Sequence, residues 1–209
     1  VKEKTAISNE LRGLLAEMGM VLAQGHKSIR TDLLDILEDA SNELSVRGRR
    51  LIQDLREQWL EREERIKQYD SELKAIAKNS AVCQRLLTIP GVGPVNATLL
   101  YSHAGDSKNY KTARHFSASL GLVPKQNASG GKEKLLGISK QGNKHVRKQF
   151  VHGARAAYRV LSQGDGDSHL AKWVRRMEGK HPNKIIVGLA NKLARIVWAV
   201  MSKEECYHA

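Results

Sequence analysis

The chain has 209 residues and a formal net charge of +13, with 41% hydrophobic and 27% charged residues. This composition is ordinary for a soluble protein of one or two domains, and the lack of any run of about 18 apolar residues argues against a membrane span. Cys83 and Cys206 have neither metal-ligand spacing nor the pattern of a disulfide framework, which indicates a reducing cytoplasm.

The excess positive charge lies entirely in the second part of the sequence. Residues 1–80 contain 14 lysines and arginines against 15 acidic residues, whereas residues 81–209 contain 21 against 7. This distribution is typical of a surface that meets a polyanion, and nucleic acid is the leading partner. The alternatives are charge that only keeps the protein soluble, and an anionic membrane surface, although no amphipathic helix combines lysines with an exposed aromatic face.

Residues 1–30 are predicted to form a linker segment that contains a short helix. Apolar residues recur every three or four positions over residues 4–20, with Ile7, Leu11 and Leu15 on one side. Because the chain opens with valine in the middle of this pattern, we interpret it as a piece of a longer protein.

Residues 31–80 are predicted to form a stalk. From Thr31, which suits an N-cap, the helical pattern runs to about Ala77, and Gly48 offers a place for a break into two helices. An isolated helix of this length needs a partner for its apolar seam. The stalk is therefore either a coiled coil that joins two subunits or a helical hairpin packed against its own chain.

Residues 81–209 are predicted to form a small helical domain that opens with a helix-hairpin-helix. An apolar helix over 81–88 is followed by the turn PGVG at 90–93, and Pro94 suits the first turn of the next helix. In this motif the turn and the second helix present free backbone N–H groups to a phosphate, which makes Gly91 and Gly93 candidate nucleic-acid-binding residues. The alternative is an ordinary tight turn between packed helices.

A loop rich in glycine and lysine follows a predicted helix over 112–120. Residues 122–126 and 134–138 favour two short strands, with Ser129 and two glycines between them. A serine hydroxyl attacks a phosphate only when a base or metal activates it and cations hold the phosphate. The cations near Ser129 in sequence include Lys125, Lys132, Lys140 and Arg147. From composition alone, a serine in a loop is more often inert than catalytic.

Asn143 is predicted to cap a helix of about 19 residues with two opposed faces. Val146, Phe150 and Ala154 mark a core face, and the opposite face carries a row of basic residues: Lys144, Lys148, His152, Arg155 and Arg159. No acidic residue interrupts this row, which favours contact with a phosphate backbone over a merely solvated surface. Two further amphipathic helices are predicted, over 169–178 and 184–201.

The basic part of the sequence lacks the carboxylate cluster that holds Mg²⁺ in metal-dependent phosphodiester chemistry. Its acidic residues are scattered, and the pair Asp165 and Asp167 is flanked by glycines in a pattern more typical of a turn. The eight histidines show no metal-ligand spacing and no serine-histidine-aspartate arrangement. We therefore expect no cofactor bound by this chain alone.

Three ordered segments resemble one protein family. IPGVGPVNATLL at 89–100, LGLVPKQNASGGKEKLLGISKQGNKHVRK at 120–148 and GLANKLARIVWAV at 188–200 look like the C-terminal half of transposases of the insertion sequence 110 family, close to its 1111 branch. The segment LRGLLAEMGMVLAQG at 11–25 resembles the link between that family's two halves, so the resemblance covers nearly the whole chain. It implies a bacterial DNA recombinase that moves an insertion sequence under the guidance of a structured RNA.

The resemblance also implies a role for Ser129. Family members carry an N-terminal RuvC-like domain with a DEDD carboxylate set, a coiled coil, and a C-terminal domain whose serine attacks DNA and forms a covalent phosphoserine intermediate. That serine matches Ser129. The RuvC-like domain, which would complete the Mg²⁺ site, is absent from this sequence, so we do not expect strand cleavage by this chain alone.

Two functions of other classes fit parts of the pattern. A non-catalytic protein that binds DNA structures through the helix-hairpin-helix would need Gly91 and Gly93 but not Ser129. A pure assembly protein would depend on the stalk and would show no salt-sensitive affinity for nucleic acid.

Overall fold

The computed structural model describes residues 1–129, 132–164 and 166–208. The protein is mainly α-helical with one small antiparallel sheet, which confirms the predicted fold class. It divides into two compact units, Val1–Glu72 and Leu73–Ala209. This division falls inside one long helix. The domain boundaries predicted after residues 30 and 80 stay a prediction.

The first unit contains two helices, a π-helical turn and the first part of a third helix. In chain order these are α1 (Lys2–Glu17), the turn Ser28–Asp32, α2 (Leu33–Glu38) and α3 (Val46–Asn79). The buried apolar side chains of α1 and of residues 28–38 cover one side of α3, and the core they form includes Leu11, Leu15, Ile29, Leu33, Ile52 and Trp59. Thr31, the predicted N-cap, lies inside the π-helical turn instead.

The helical pattern predicted from Thr31 is interrupted at residues 39–45, close to Gly48, where the sequence offers a place for a break into two helices. Helix α2 ends at Glu38 and α3 begins at Val46. The side chain of Arg49 donates hydrogen bonds to the carbonyl oxygens of Leu37 and Asp39, both at 2.7 Å. These bonds satisfy carbonyl groups that a helix end leaves without partners, which stabilises the break.

Lys4 and Glu63, two residues of opposite charge, are buried in the first unit, and the exposed Arg30 pairs with Glu63. Glu63 accepts a hydrogen bond from Lys4 at 2.6 Å and two from the guanidinium of Arg30, at 2.7 and 2.8 Å. The ammonium group of Lys4 also lies 4.2 Å from the ring centre of Trp59. The bonds from Arg30 and then Lys4 hold the pKa of Glu63 at about 2, below the ordinary value of 4.5.

The second unit is built around its last helix. Its elements in chain order are α4 (Ala81–Leu87), α5 (Pro94–Ala104), a 3-10 turn (Ser107–Asn109), α6 (Ala113–Ser119), β1 (Pro124–Ser129), β2 (Lys132–Ile138), α7 (Lys144–Gln163), α8 (His169–Arg176) and α9 (Pro182–Lys203). Helices α4, α6 and α7 pack around α9, whose residues Leu189, Leu193 and Val197 are fully buried. Helix α9 is long and apolar enough to cross a membrane, as the core helix of a soluble protein can also be.

Local signals in the sequence place the elements of this unit correctly. The side chain of Asn143 accepts hydrogen bonds from the backbone N–H groups of His145 and Val146, at 3.0 and 3.2 Å, and so caps α7 as predicted. Pro94 is the first residue of α5. The two predicted strands are confirmed as a hairpin, in which Gln126 pairs with Leu135 and Ser129 with Lys132.

Candidate nucleic-acid interface

Helix α7 presents a continuous row of basic side chains to solvent. The five members of this basic row are all exposed: Lys144, Lys148, His152, Arg155 and Arg159. The opposite face of the helix is buried through Val146, Phe150, Ala154 and Ala157. In the described part of the second unit the ion pairs join Arg85 to Glu204 and Lys172 to Asp167, so no acidic side chain neutralises the row. The row therefore leaves its charge available to an external anion.

Arg147 lies on the same helix but has a partner inside the chain. It is half-buried, and its guanidinium donates a hydrogen bond to the carbonyl oxygen of Leu120 at 3.1 Å. Asn191 of α9 donates a similar bond to the carbonyl oxygen of Leu122 at 2.8 Å. These two bonds fix the segment that leads into β1. Arg147 thus positions the root of the hairpin, whereas the basic row faces outward.

The turn between α4 and α5 places its two glycines in different surroundings. Gly91 has a φ of +79° and packs against the backbone of Gly153 in α7, so closely that a Cβ atom on either residue would overlap the other's carbonyl oxygen. Gly93 is exposed at the N-terminal end of α5, and no heavy atom lies within 4 Å of the position a Cβ would take. Gly91 therefore anchors the turn on α7, while the backbone near Gly93 faces solvent. That the α4–α5 pair binds phosphate stays a prediction.

A groove lies between the hairpin and the start of α9, with a volume of about 860 Å³. Three lysines from three different segments line it: Lys125 of β1, Lys140 after β2 and Lys184 of α9. Its apolar lining includes Leu135, Leu136, Ile138 and Val187. We call this space the hairpin groove.

The hairpin groove is linked to the basic row through one residue. Asn183 lines the groove, and its side-chain oxygen accepts a hydrogen bond from the guanidinium of Arg155 at 3.1 Å. The predicted residues Lys125 and Lys140 thus belong to the groove, and Lys144, Lys148, Arg155 and Arg159 belong to the row. One side of the second unit combines both features into a surface rich in positive charge.

Ser129 is the last residue of β1, and its backbone pairs with that of Lys132 across the hairpin. The side chains of Ser129 and Lys132, and residues 130 and 131 between them, lie outside the described residues. The role of Ser129 as a nucleophile therefore stays a prediction. Among the residues that the structure describes, no group of three or more histidines, cysteines or acidic residues is arranged to hold a metal ion.

The sequence interpretation missed four basic residues of the last two helices. Lys184 joins the hairpin groove only through tertiary packing. Lys192, Arg195 and Arg176 form a second group of like charges, and burial together with the two arginines lowers the pKa of Lys192. The i, i+3 spacing of Lys192 and Arg195 predicts that they are neighbours on α9. The approach of Arg176 from α8 depends on tertiary packing, which no local pattern predicts.

Comparison with known proteins places the basic row and the hairpin side of the groove, but not its α9 side, in a matched segment. Residues 83–168 match the family described as Transposase IS116/IS110/IS902. Over 208 residues, 99% of the chain, it is 42% identical to the transposase for insertion sequence element IS1111A of Coxiella burnetii and covers 57% of that protein. It is 38% identical to the transposase for insertion sequence element IS1328 of Yersinia enterocolitica over 97% of the chain and 60% of the relative.

A third relative is named a probable family 20 transposase, from Pseudomonas aeruginosa. The chain is 35% identical to it over 99% of its own length and 61% of the relative. The chain thus spans between 57% and 61% of the length of these three relatives. The segment that matches the family model contains the α4–α5 turn, the hairpin and the whole of α7.

Proposed function

We propose that the chain is a member of the IS116/IS110/IS902 family of transposases, and that it is the nucleic-acid-binding C-terminal part of an RNA-guided DNA transposase of the bacterial cytoplasm. One observation carries the proposal. The basic row on α7 lies within the segment that matches the family model, next to the hairpin that contains Ser129.

The basic row suits a phosphate backbone in length and charge. From Lys144 to Arg159 it spans roughly 22 Å of helix axis, over which one strand of duplex DNA presents about six phosphates. Long cationic side chains on one exposed helix face make contacts that do not depend on base sequence. The row would therefore hold DNA or guide RNA in position, and the sequence information would come from elsewhere.

Ser129 would be the nucleophile of the complete enzyme. Its Oγ would form a bond to the phosphorus of the target strand as the bond from phosphorus to the leaving sugar oxygen breaks. The serine proton would pass to a base, and the leaving oxygen would take up a proton. Cations near the tip of the hairpin would offset the negative charge that develops on the phosphate oxygens, since Lys125 of the groove lies about 13 Å from Ser129 along β1.

The described residues of this chain do not fit a Mg²⁺ site, because they form no group of three or more acidic, histidine or cysteine residues that could hold a metal ion. We therefore assign to this chain the binding and positioning of nucleic acid and the attacking hydroxyl, and no step through a metal. In the complete enzyme Mg²⁺ would be held by the RuvC-like part that the resemblance implies. For this reason we propose that the chain alone binds DNA but does not cleave it.

The apolar seam of α3 supports assembly of more than one subunit. Ile66, Tyr69, Leu73 and Ile76 repeat at intervals of 3, 4 and 3, as in the seam of a coiled coil. Tyr69 and Ile76 are 59% and 54% exposed, so this half of the seam lacks a cover. We propose that a second copy of the chain packs against it and forms a homo-oligomer.

The experiment that tests the catalytic part uses a full-length transposase with this sequence as its C-terminal part. The Ser129→Ala variant should bind a target duplex with unchanged affinity but form no covalent protein–DNA adduct, whereas Ser162→Ala should form the adduct normally. Ser162 is a suitable control because it is an exposed serine of the same unit. Adduct formation or transposition by Ser129→Ala would refute the assigned role.

A second candidate is a non-catalytic protein that binds DNA structures through the α4–α5 pair. It is favoured by the exposed position of Gly93 at the uncapped N-terminal end of α5. In that case the Ser129→Ala variant would retain every activity of the protein, and Gly93→Ala would weaken DNA binding.

A further inference from the structure

The hairpin groove exposes apolar side chains, which a phosphate backbone does not contact. Leu135 and Leu136 of β2 line the groove and are 68% and 47% exposed. Val187 of α9 faces them from the helical side. Exposed leucines grouped in one concave site are unusual on a protein surface and mark a place where a ligand or partner covers them.

The charge around these leucines has one sign. Lys125, Lys140 and Lys184 line the same groove, and no acidic residue appears among its described lining residues. Arg155 adds a cation at the edge through its bond to Asn183. An occupant that suits this site combines apolar groups with several negative charges.

We propose that the hairpin groove binds unpaired nucleotides of a nucleic-acid strand, with bases against Leu135 and Leu136 and phosphates against the three lysines. This inference rests on the proposed function and adds the form of the substrate. A duplex keeps its base faces stacked inside and presents sugars and phosphates, so it gives the leucines nothing to contact. An unpaired strand exposes both its bases and its phosphates.

The groove lies on the same β-strand as Ser129, which relates the bound strand to the proposed nucleophile. Lys125 and Ser129 lie on the same strand β1, about 13 Å apart along the chain direction. A strand held open in the groove would therefore continue toward the tip of the hairpin. Such a strand would bring one of its phosphates toward Ser129, the last residue of β1.

The test measures binding of the 209-residue chain to a single-stranded oligonucleotide carrying 2-aminopurine and to the duplex of the same sequence. The Leu135→Ser/Leu136→Ser variant should bind the single strand about tenfold more weakly, with a smaller fluorescence change, and the duplex within about twofold of the parent chain. Val160→Ser, which alters a valine 73% exposed on α7 outside the groove, should change neither affinity.

A second pair of variants tests the lysines. Lys125→Gln/Lys184→Gln should weaken binding of the single strand more than binding of the duplex. The control, Lys108→Gln/Lys180→Gln, removes the same charge from exposed residues outside the groove and should change the affinities for single strand and duplex by the same factor. Thermal unfolding of each variant checks that the fold is intact.

Two outcomes would overturn the inference. Equal effects of the leucine variant on single strand and duplex would show that the groove does not distinguish them. Loss of self-association in sedimentation, with single-strand binding unchanged, would show that the leucines form a protein interface. In either case, duplex binding that depends on the basic row would still support the proposed function. A chain that binds no nucleic acid at all would contradict both the proposed function and this inference.

Discussion

Gly91 and Gly153 lie backbone against backbone, which joins the α4–α5 turn to the middle of α7. A Cβ atom on Gly91 would overlap the carbonyl oxygen of Gly153, and a Cβ atom on Gly153 would overlap that of Gly91. The side chain of Asn96 also donates to the Gly91 carbonyl oxygen at 3.3 Å. The two glycines therefore set the distance between the turn and the helix that carries the basic row.

Replacing Gly91 with alanine should destabilise the protein by about 2–4 kcal/mol, because it combines a strained positive φ with overlap against α7. The free energy of unfolding in urea measures this effect. Gly93→Ala is the matched control, since its Cβ would meet no heavy atom within 4 Å. Equal stability of the two variants would contradict the packing role of Gly91. Loss of DNA affinity in Gly93→Ala alone would favour a phosphate contact at the turn.

The basic row should account for most of the salt dependence of duplex binding. Changing Lys144, Lys148, Arg155 and Arg159 to glutamine should weaken binding strongly and reduce the slope of log K against log salt by roughly 3–4. Fluorescence anisotropy across a salt series gives both values. The control changes four exposed cations of α3 to glutamine: Arg47, Arg50, Lys74 and Lys78. A similar fall in slope for the control would mean that only net charge matters.

The stability of the first unit should decrease in acid through Glu63. Because folding holds the pKa of Glu63 at about 2, below its ordinary value of 4.5, the stabilisation is present above pH 4.5 and is lost as the pH falls toward 2. Glu63→Gln should cost about 3 kcal/mol at neutral pH, since it leaves Lys4 buried without a counter-charge. Urea unfolding followed by tryptophan fluorescence at several pH values measures both effects.

The control for Glu63 is its neighbour on the same helix. Glu64 is exposed and pairs with Lys67 at 3.5 Å, so Glu64→Gln should change stability by less than about 0.5 kcal/mol. A Glu63→Gln variant that lost stability in acid as steeply as the parent chain between pH 4.5 and 2 would show that other groups govern this range.

The seam of α3 should control self-association. Tyr69→Asp/Ile76→Asp places charges on a surface that a second copy would bury, so it should weaken dimer formation at least about tenfold in sedimentation velocity experiments. Both positions are exposed, so the fold of one chain should tolerate the change. Val21→Asp, at a valine 90% exposed outside the seam, should leave association unchanged. A parent chain that stays monomeric at high concentration would contradict the proposal.

The features that sequence reasoning predicted correctly are those that neighbouring residues determine. Asn143 specified the start of α7, because a capping side chain bonds backbone groups two and three residues away. Pro94 marked the start of α5 for a similarly local reason. The opposed faces of α7 followed from helical periodicity, and the hairpin followed from two short strand patterns around a glycine turn.

The features that it missed depend on residues far apart in sequence. The sequence offers Gly48 as a place for a break before α3, but it does not show that Arg49 stabilises this break through bonds to Leu37 and Asp39. The contact between Gly91 and Gly153 likewise arises only from tertiary packing, and phosphate binding at Gly91 stays a prediction. Lys184 likewise lines the hairpin groove because the start of α9 lies across it from the hairpin, a placement that no local pattern encodes.

The hairpin is anchored to the helical core at its base and contributes little to that core. Arg147 and Asn191 bind the segment that leads into β1, while the described side chains of the strands are exposed except for Ile138, which is half-buried. Substitutions beyond the base therefore carry little penalty for folding. A change in these exposed strand residues would therefore alter the surface that we propose for nucleic acid without a loss of stability elsewhere in the domain.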